Sequence, residues 1–308
     1  MTDSLQQAYG VAADRLRETV RRMSVLLWRK PAIGAGLLLA PPLGWFVLIY
    51  LAALAALFIS AFWSIDSFTG ELNRTFTLAN FQTILDSEIY RKIAVRTILM
   101  AAAVTLTDIV LAFPVAYYMV RLASPRQRVA LFTLVLVPLW SSYLARVYAW
   151  RLIFANDGAL NWMLHLFGFG SLHIGYTNWA MWIVFSYIWL PFVIMPIYSA
   201  IERIPHSLFE ASQDLGARAW RTFFKVILPL ALPGVVAGSI FSFSLTLGDY
   251  ITPVLVGGPG SDFIGNVVYA NVGIANNIPF AAAYAAIPLV VMGLYLLGAR
   301  RTGAFEVM

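Results

Sequence analysis

The chain has 308 residues, 60% hydrophobic and 12% charged, with a net charge of +6 and no cysteine. A soluble domain is about 45–50% apolar and about 25% charged, so a soluble fold, which could not hide this much apolar surface, is set aside for a membrane protein. The lack of cysteine removes disulfides, thiolate metal sites and cysteine nucleophiles together.

The first element, "VAADRLRETVRRMSVLLWRK" within residues 1–31, is basic and amphipathic and predicts a helix lying on the inner membrane surface; a solvated tail is the competing reading. The apolar run that follows from Ala32 is too long for the core of a cleavable signal peptide and reads as a retained anchor. About 20 mostly apolar residues cross a bilayer, and six stretches qualify. They are Ala32–Trp63, which a Pro41–Pro42 pair should break or kink, Ile98–Val120 with Asp108 inside, Val129–Trp150 with Arg146 inside, Trp179–Ile201, Leu230–Val256 with Asp249 inside, and Phe280–Ala299. A polar loop, 64–92, joins the first two spans. Loop 3–4 holds a short apolar helix, "NWMLHLFGFG", and loop 5–6 a Gly-Pro-punctuated segment, "GGPGSDFIGNVVYANVGIANNIPF".

Arg and Lys set the orientation. Fifteen of the 21 basic residues lie in the N-terminal segment, the 2–3 loop, the 4–5 loop and the C-terminal tail. Both termini are therefore expected in the cytoplasm. The positive charge is a topology signal, and nucleic acid is not a partner it calls for.

No energy source is encoded. None of Lys30, Lys92 and Lys225 follows a Gly-rich turn and precedes Ser or Thr, as a P-loop needs. There is no H-E-x-x-H and no G-x-S-x-G, and His165, His173 and His206 stand apart. An ion-driven carrier would be expected to show two related halves with broken helices, and no such repeat is visible.

The cytoplasmic 4–5 loop, 203–229, is the unusual element. Pro205 can open a helix at its first position and Gly216 can close one in the left-handed conformation, leaving a rod of about 15 Å. Leu208, Ala211, Ser212 and Leu215 share a stripe, and Glu210 and Asp214 repel each other across one turn. A second helical piece, "ARAWRTFFKVIL", runs to Pro229 at an angle to the first. Phe209, Trp220, Phe223 and Phe224 are too many aromatics for a free loop and require a partner or the membrane underside.

"EASQDLGARAWRTFFKVILPLALPG" resembles the signature loop of the permease subunits of binding-protein-dependent ABC importers. That pattern is Glu-Ala-Ala, three residues, Gly, nine residues, Ile, one residue, Leu-Pro. Glu210, Ala211, Gly216, Leu228 and Pro229 match it; Ser212 replaces the second Ala and Val226 the Ile. "FTLANFQTIL", "AFPVAYYMVR", "LVPLWSSYLARVYAWRLIF", "LPFVIMPIYSAIERIP" and "GGPGSDFIGNVV" extend the resemblance from about residue 30 to the spermidine/putrescine permease branch, specifically its first permease subunit. "NNIPFAAA" departs from that branch, which often has Trp-Pro before a Gly-Ala run.

The resemblance implies an all-α, six-helix membrane domain, 32–299, of the type I importer permease fold in the bacterial inner membrane, with a cytoplasmic tail at 300–308. It implies as partners a second permease, two ATPase subunits that bind the ATP and magnesium, an external solute-binding protein and a small-molecule substrate, with lipid around the spans and no cofactor in this chain. The loop would be a coupling helix, with Glu210, Ala211, Ser212, Asp214, Leu215, Gly216, Leu228 and Pro229 docking on the ATPase. Glu210 would meet basic groups there, and Gly216 would permit a sharp turn and close approach. For the solute, a polyamine or related amine stands beside an opine, thiamine or a metal complex. The competing class is an ion-driven carrier or a membrane enzyme.

Charged groups inside a membrane are costly and face the bundle interior. Asp108 and Asp249, with Tyr250, Tyr143 and Trp140, are the candidates for a cationic substrate pathway, since carboxylates and aromatic faces both attract ammonium groups. A hydrogen bond from either acid to a neighbouring helix is the structural alternative. Arg146 and Arg151 read as anchors or partners of such an acid.

Overall fold

The computed structural model describes residues 17–18, 31–66 and 69–300. The amphipathic helix expected in residues 1–31 and the tail expected at 300–308 lie, but for a few residues, outside that range. Two compact units divide after Ile59.

In the first unit, α1 (Pro31–Trp45) passes through a π-type stretch, Phe46–Leu51, into α2 (Ala52–Ser60). Of the expected break or kink at Pro41–Pro42, a break does not occur. Two missing N–H donors and two rings crowding the preceding turn are followed by the wider stretch, and the helix stays continuous.

The second unit opens with a two-stranded antiparallel hairpin, β1 (Ser64–Ile65) and β2 (Leu72–Asn73), pairing Ser64 with Asn73 and Ile65 with Leu72. α3 (Ala79–Asp86) follows, its Asn80 amide donating to the carbonyls of Ala61 at 2.9 Å and Trp63 at 2.8 Å. The long helices are α4 (Glu88–Arg121), α8 (Asn178–Glu202), the continuous run Ala219–Gly248, and α13 (Ile278–Arg300). With Leu38–Ser60 they make five helices long and apolar enough to cross a membrane, among the described residues, and one bent pair brings the number to six.

That bent pair corrects the third span. The expected helix Val129–Trp150 is two helices, α5 (Pro125–Trp140) and α6 (Tyr143–Ile153), meeting at 96°. Ser141 leaves the helix in extended conformation, and its hydroxyl turns back onto the carbonyl of Pro138 at 2.7 Å. Such a side-chain bond competes with the backbone ladder. The short helix expected in loop 3–4 is present as α7 (Ala159–Leu166), and the Gly-Pro-punctuated segment of loop 5–6 forms α12 (Ile264–Gly273).

The fifth span begins earlier and ends earlier than Leu230–Val256. α10 (Ala219–Thr222) continues through a π-type stretch, Phe223–Ile227, into α11 (Leu228–Gly248). Asp249 then turns extended, and a further π-type turn, Pro253–Gly257, follows.

α4, α8 and α11 pack on one another as the centre of this unit. α8 and α11 approach closely because Gly234 and Gly238, four residues apart, face α8. A Cβ at Gly234 would stand 2.5 Å from the Ala200 Cβ and from the Pro196 carbonyl oxygen, and one at Gly238 3.0 Å from Val193. Small residues at this spacing let membrane helices meet backbone to backbone. The part of the core beside the 4–5 loop is built on Phe113, Met119, Ile197, Ile201 and Ile227, and another part on Val104, Phe185, Ile188, Trp189 and Phe263.

Candidate functional site

In the 4–5 loop, α9 (His206–Asp214) is the short rod. Pro205 stands one position before the helix, as its cap, rather than in its first turn. Leu215 ends the rod, and Gly216 takes φ +70°. The amides of Leu215, Gly216 and Ala217 then bond back to the carbonyls of Ala211, Gln213 and Ser212 at 3.1, 2.8 and 3.0 Å, which satisfies carbonyls the helix end leaves open. No atom lies within 4 Å of where a Gly216 Cβ would stand, so within this chain Gly216 serves the turn and not a close approach.

The expected stripe is revised. Phe209 and Ser212 face inward, whereas Leu208 is exposed and Leu215 is 87% exposed. Glu210, Ala211 and Asp214 lie on the open side with Leu215, and Pro229 is exposed as well. Ser212, the departure from Glu-Ala-Ala, has a physical account. Its hydroxyl meets that of Thr222 at 2.7 Å, and both residues are 8% exposed, so the pair pins α9 to α10. The four loop aromatics divide. Phe209 and Phe223 pack against the core beside the loop, with Phe223 edge-on to Phe113 at 5.2 Å, while Trp220 and Phe224 remain exposed. The second helical piece is the start of the fifth span, since 219–248 is one unbroken run.

The second candidate centre forms where two spans break. The bend at 141–142 brings Tyr143 to the start of α6, and the end of α11 brings Asp249 to face it. Tyr143 donates its hydroxyl to Asp249 Oδ2 and stands 2.8 Å from the Thr252 hydroxyl. Asp249 Oδ1 accepts from the amides of Ile251 at 2.7 Å and Thr252 at 3.0 Å, and Oδ2 also accepts from the Thr252 hydroxyl at 3.3 Å. The Tyr143 hydroxyl and the two amides hold the carboxylate, while the single Thr252 hydroxyl hydrogen is shared between the nearer Tyr143 oxygen and Oδ2. The carboxylate caps the turn that leads to Pro253–Gly257.

Around it lies a cavity of about 280 Å³ lined by Tyr143, Trp189, Ser244, Gly248, Asp249 and Tyr250, with Leu245 and Ile251. Trp189 stacks on Tyr143 with ring centres 5.8 Å apart and planes at 10°. Tyr250 stacks on Tyr269 at 4.8 Å, and Asn266 donates to the Tyr250 carbonyl at 2.7 Å. Aromatic faces beside a buried negative charge can hold a cation without a direct ion pair.

Three of the five predicted pathway residues, Tyr143, Asp249 and Tyr250, thus meet at one place. Asp108 and Trp140 are not in that lining. Asp108 is 0% exposed in the middle of α4 and accepts from the Ser242 hydroxyl of α11 at 2.6 Å. This is the interhelix hydrogen bond of the structural alternative. Trp140 ends α5 and is 88% exposed. Arg146 has Nε and Nη1 buried without a hydrogen bond. Trp189 and Thr252 were not singled out in the sequence, where each reads as span filling.

Residues 95–302 match the family model described as "binding-protein-dependent transport system inner membrane component". The chain is 41% identical over 314 residues to the inner membrane ABC transporter permease protein YdcU of Escherichia coli K12, covering 98% of this chain and 100% of that one. It is 33% identical over 256 residues to the spermidine/putrescine transport system permease protein PotB of the same organism, covering 82% and 92%. In fold it is similar to a chain of a bacterial alginate ABC transporter in complex with its alginate-bound periplasmic protein, with a TM-score of 0.69 at 20% identity over 89% of this chain and 94% of that one. A chain of the MetNI methionine ABC transporter gives 0.54 at 19% identity over 72% and 99%.

Proposed function

The chain belongs to the family of inner membrane components of binding-protein-dependent transport systems, and from that membership we propose that it carries a polyamine or related small amine past the cavity at Asp249. It is a multi-span permease of an ABC importer in the bacterial inner membrane, a transport component rather than an enzyme. The observation that carries the substrate reading is the grouping of Tyr143, Trp189 and Tyr250 around the Asp249 carboxylate. The likeness to the spermidine/putrescine permease PotB supports it.

In this reading Asp249 acts through its charge. Most of its lone pairs are engaged by the protein, so an ammonium group meets aromatic faces with the carboxylate behind them. The partners are a second permease, two ATPase subunits that hold ATP and magnesium, and an external binding protein that delivers the solute. Residues 203–229 dock on an ATPase subunit. Glu210, Asp214 and Leu215 are offered to it on the open side of α9, and Ser212, Gly216, Leu228 and Pro229 shape the knob.

The test is uptake by the reconstituted complex with its binding protein, comparing putrescine and spermidine with thiamine and an opine. Amine uptake is expected, and Asp249→Asn, which keeps the shape and the turn but removes the charge, should lower it at least ten-fold with assembly unchanged. Uptake confined to thiamine or the opine would end the amine reading. Unaltered amine kinetics in Asp249→Asn would return Asp249 to capping alone.

A further inference from the structure

We propose that Arg121 is a positioning residue that fastens the coupling helix α9 to the core helix α4, giving the knob a second mechanical link besides its continuity with the fifth span. The inference rests on the reading of 203–229 as the ATPase-coupling loop.

Arg121 is the last residue of α4. Its guanidinium leaves its own helix and reaches the beginning of the 4–5 loop. Nη2 donates to the carbonyls of Ile204 at 2.7 Å and Ile201 at 3.3 Å, which close the end of α8. Nη1 lies 3.3 Å from His206 Nε2, on the first residue of α9, and because arginine only donates, the imidazole nitrogen accepts. One turn further along α9, the Phe209 ring lies with its centre 4.0 Å from the guanidinium carbon. A single planar group thus holds the end of one helix and the first two turns of the next. Nε is buried without a partner, so the side-chain pose is set by these other contacts.

The end of α4 does not need Arg121 for its own carbonyls. Arg128, in α5, supplies donors to Met119 at 3.0 Å and Val120 at 2.7 Å. That division of labour leaves Arg121 free to bridge. The geometry requires arginine in particular: a lysine ammonium is a point donor and cannot combine forked carbonyl bonds with stacking on a ring. Phe209 and Met119 belong to the same packed cluster as Phe113 and Ile201, so a push on α9 that reaches Arg121 reaches α4 and α8 together. Without the guanidinium, the first turn of α9 would be held by Pro205 and the packing of Phe209 alone, since the Ser212–Thr222 pair and the Gly216 turn act on its other end.

The experiment uses the complete complex in lipid with Arg121→Met and Arg121→Lys. The second keeps charge and stem, so it assembles even where the first does not. Hydrogen exchange of the amides of 208–216 reads the fastening directly, and putrescine delivered by the binding protein, counted per ATP hydrolysed, reads transmission. Both variants are expected to exchange these amides at least five-fold faster and to move at least five-fold less putrescine per ATP. Exchange and ratio within two-fold of the parent in Arg121→Lys would overturn the proposal. Faster exchange with an unaltered ratio would overturn instead the coupling-loop reading beneath it, since a loosened α9 would then have no part in driving transport.

Discussion

Substitution of Gly216 isolates the turn from every other feature of the knob. The backbone there has φ +70°, and a Cβ would touch nothing within 4 Å. Gly216→Ala therefore introduces no clash, and its whole cost is the left-handed conformation, about 1–2 kcal/mol. Asparagine tolerates that region through its short polar side chain, so Gly216→Asn should recover most of the loss. Gly216→Val adds a β-branch and should exceed alanine. If the knob docks only with the turn formed, 1–2 kcal/mol weakens ATPase association by a factor of about 5–30. The assay is titration of purified permease in nanodiscs with the ATPase subunit. Alanine should fall in that range, asparagine should stay within about three-fold of the parent, and valine should be weaker than alanine. The reasoning would be refuted by alanine binding as the parent does. It would equally be refuted by asparagine binding no better than alanine, because the site would then be sensing side-chain volume and not φ.

The buried hydroxyl pair predicts a double-mutant result: Ser212→Ala or Thr222→Val alone strands one buried hydroxyl at about 1–3 kcal/mol, while the double variant should lie near the parent, as read from thermal stability of the assembled complex. Gly234→Ala forces a methyl group against the Pro196 carbonyl and the Ala200 Cβ and should cost about 1–3 kcal/mol of stability, lowering the melting temperature of the detergent-solubilised complex; an unchanged value would mean that α8 and α11 move apart freely. Glu210→Ala should weaken ATPase binding by about 2–5 kcal/mol if the carboxylate is paired across that interface, and full binding with full uptake would deny it that role. Because the chain has no cysteine, Leu215→Cys and Ile274→Cys, at two highly exposed positions, are single reporters of topology. An impermeant maleimide on intact cells should label position 274 and spare 215, and the reverse pattern would invert the orientation.

Most of the architecture was legible because bilayer insertion is a local property. A window of about 20 apolar residues is sufficient for a span, and Arg and Lys flanking those windows orient them. The knob was legible for a similar reason. Pro205 and Gly216 act on their own backbone, and the Glu210–Pro229 spacing is a property of one segment. Two of the arginines counted toward orientation turned out to have individual duties, Arg121 and Arg128 donating to carbonyls at helix ends, which a count of charges does not contain.

What the sequence by itself determined is which segments are apolar enough to enter the membrane and where a compact, charged knob interrupts them. Only the tertiary structure decided where those segments break and which distant groups the breaks bring together. Hydropathy runs unchanged through Ser141–Ser142 and through Gly248–Asp249, because serine and a single acid barely alter a window average, yet the backbone turns at both. Tyr143 and Asp249 are 106 residues apart, and no local pattern relates them; their meeting follows from a bend in one span and the ending of another. Ser212 is a mild departure from the motif in the sequence, and its reason, the Thr222 hydroxyl opposite it, exists only in the fold. The Gly234 and Gly238 pair was present in the text as G-V-V-A-G, but a glycine spacing says that two helices can touch, not which two. Partner choice among apolar helices is settled by surface fit, since lipid solvates their side chains as well as another helix does, and fit exists only once the helices are placed.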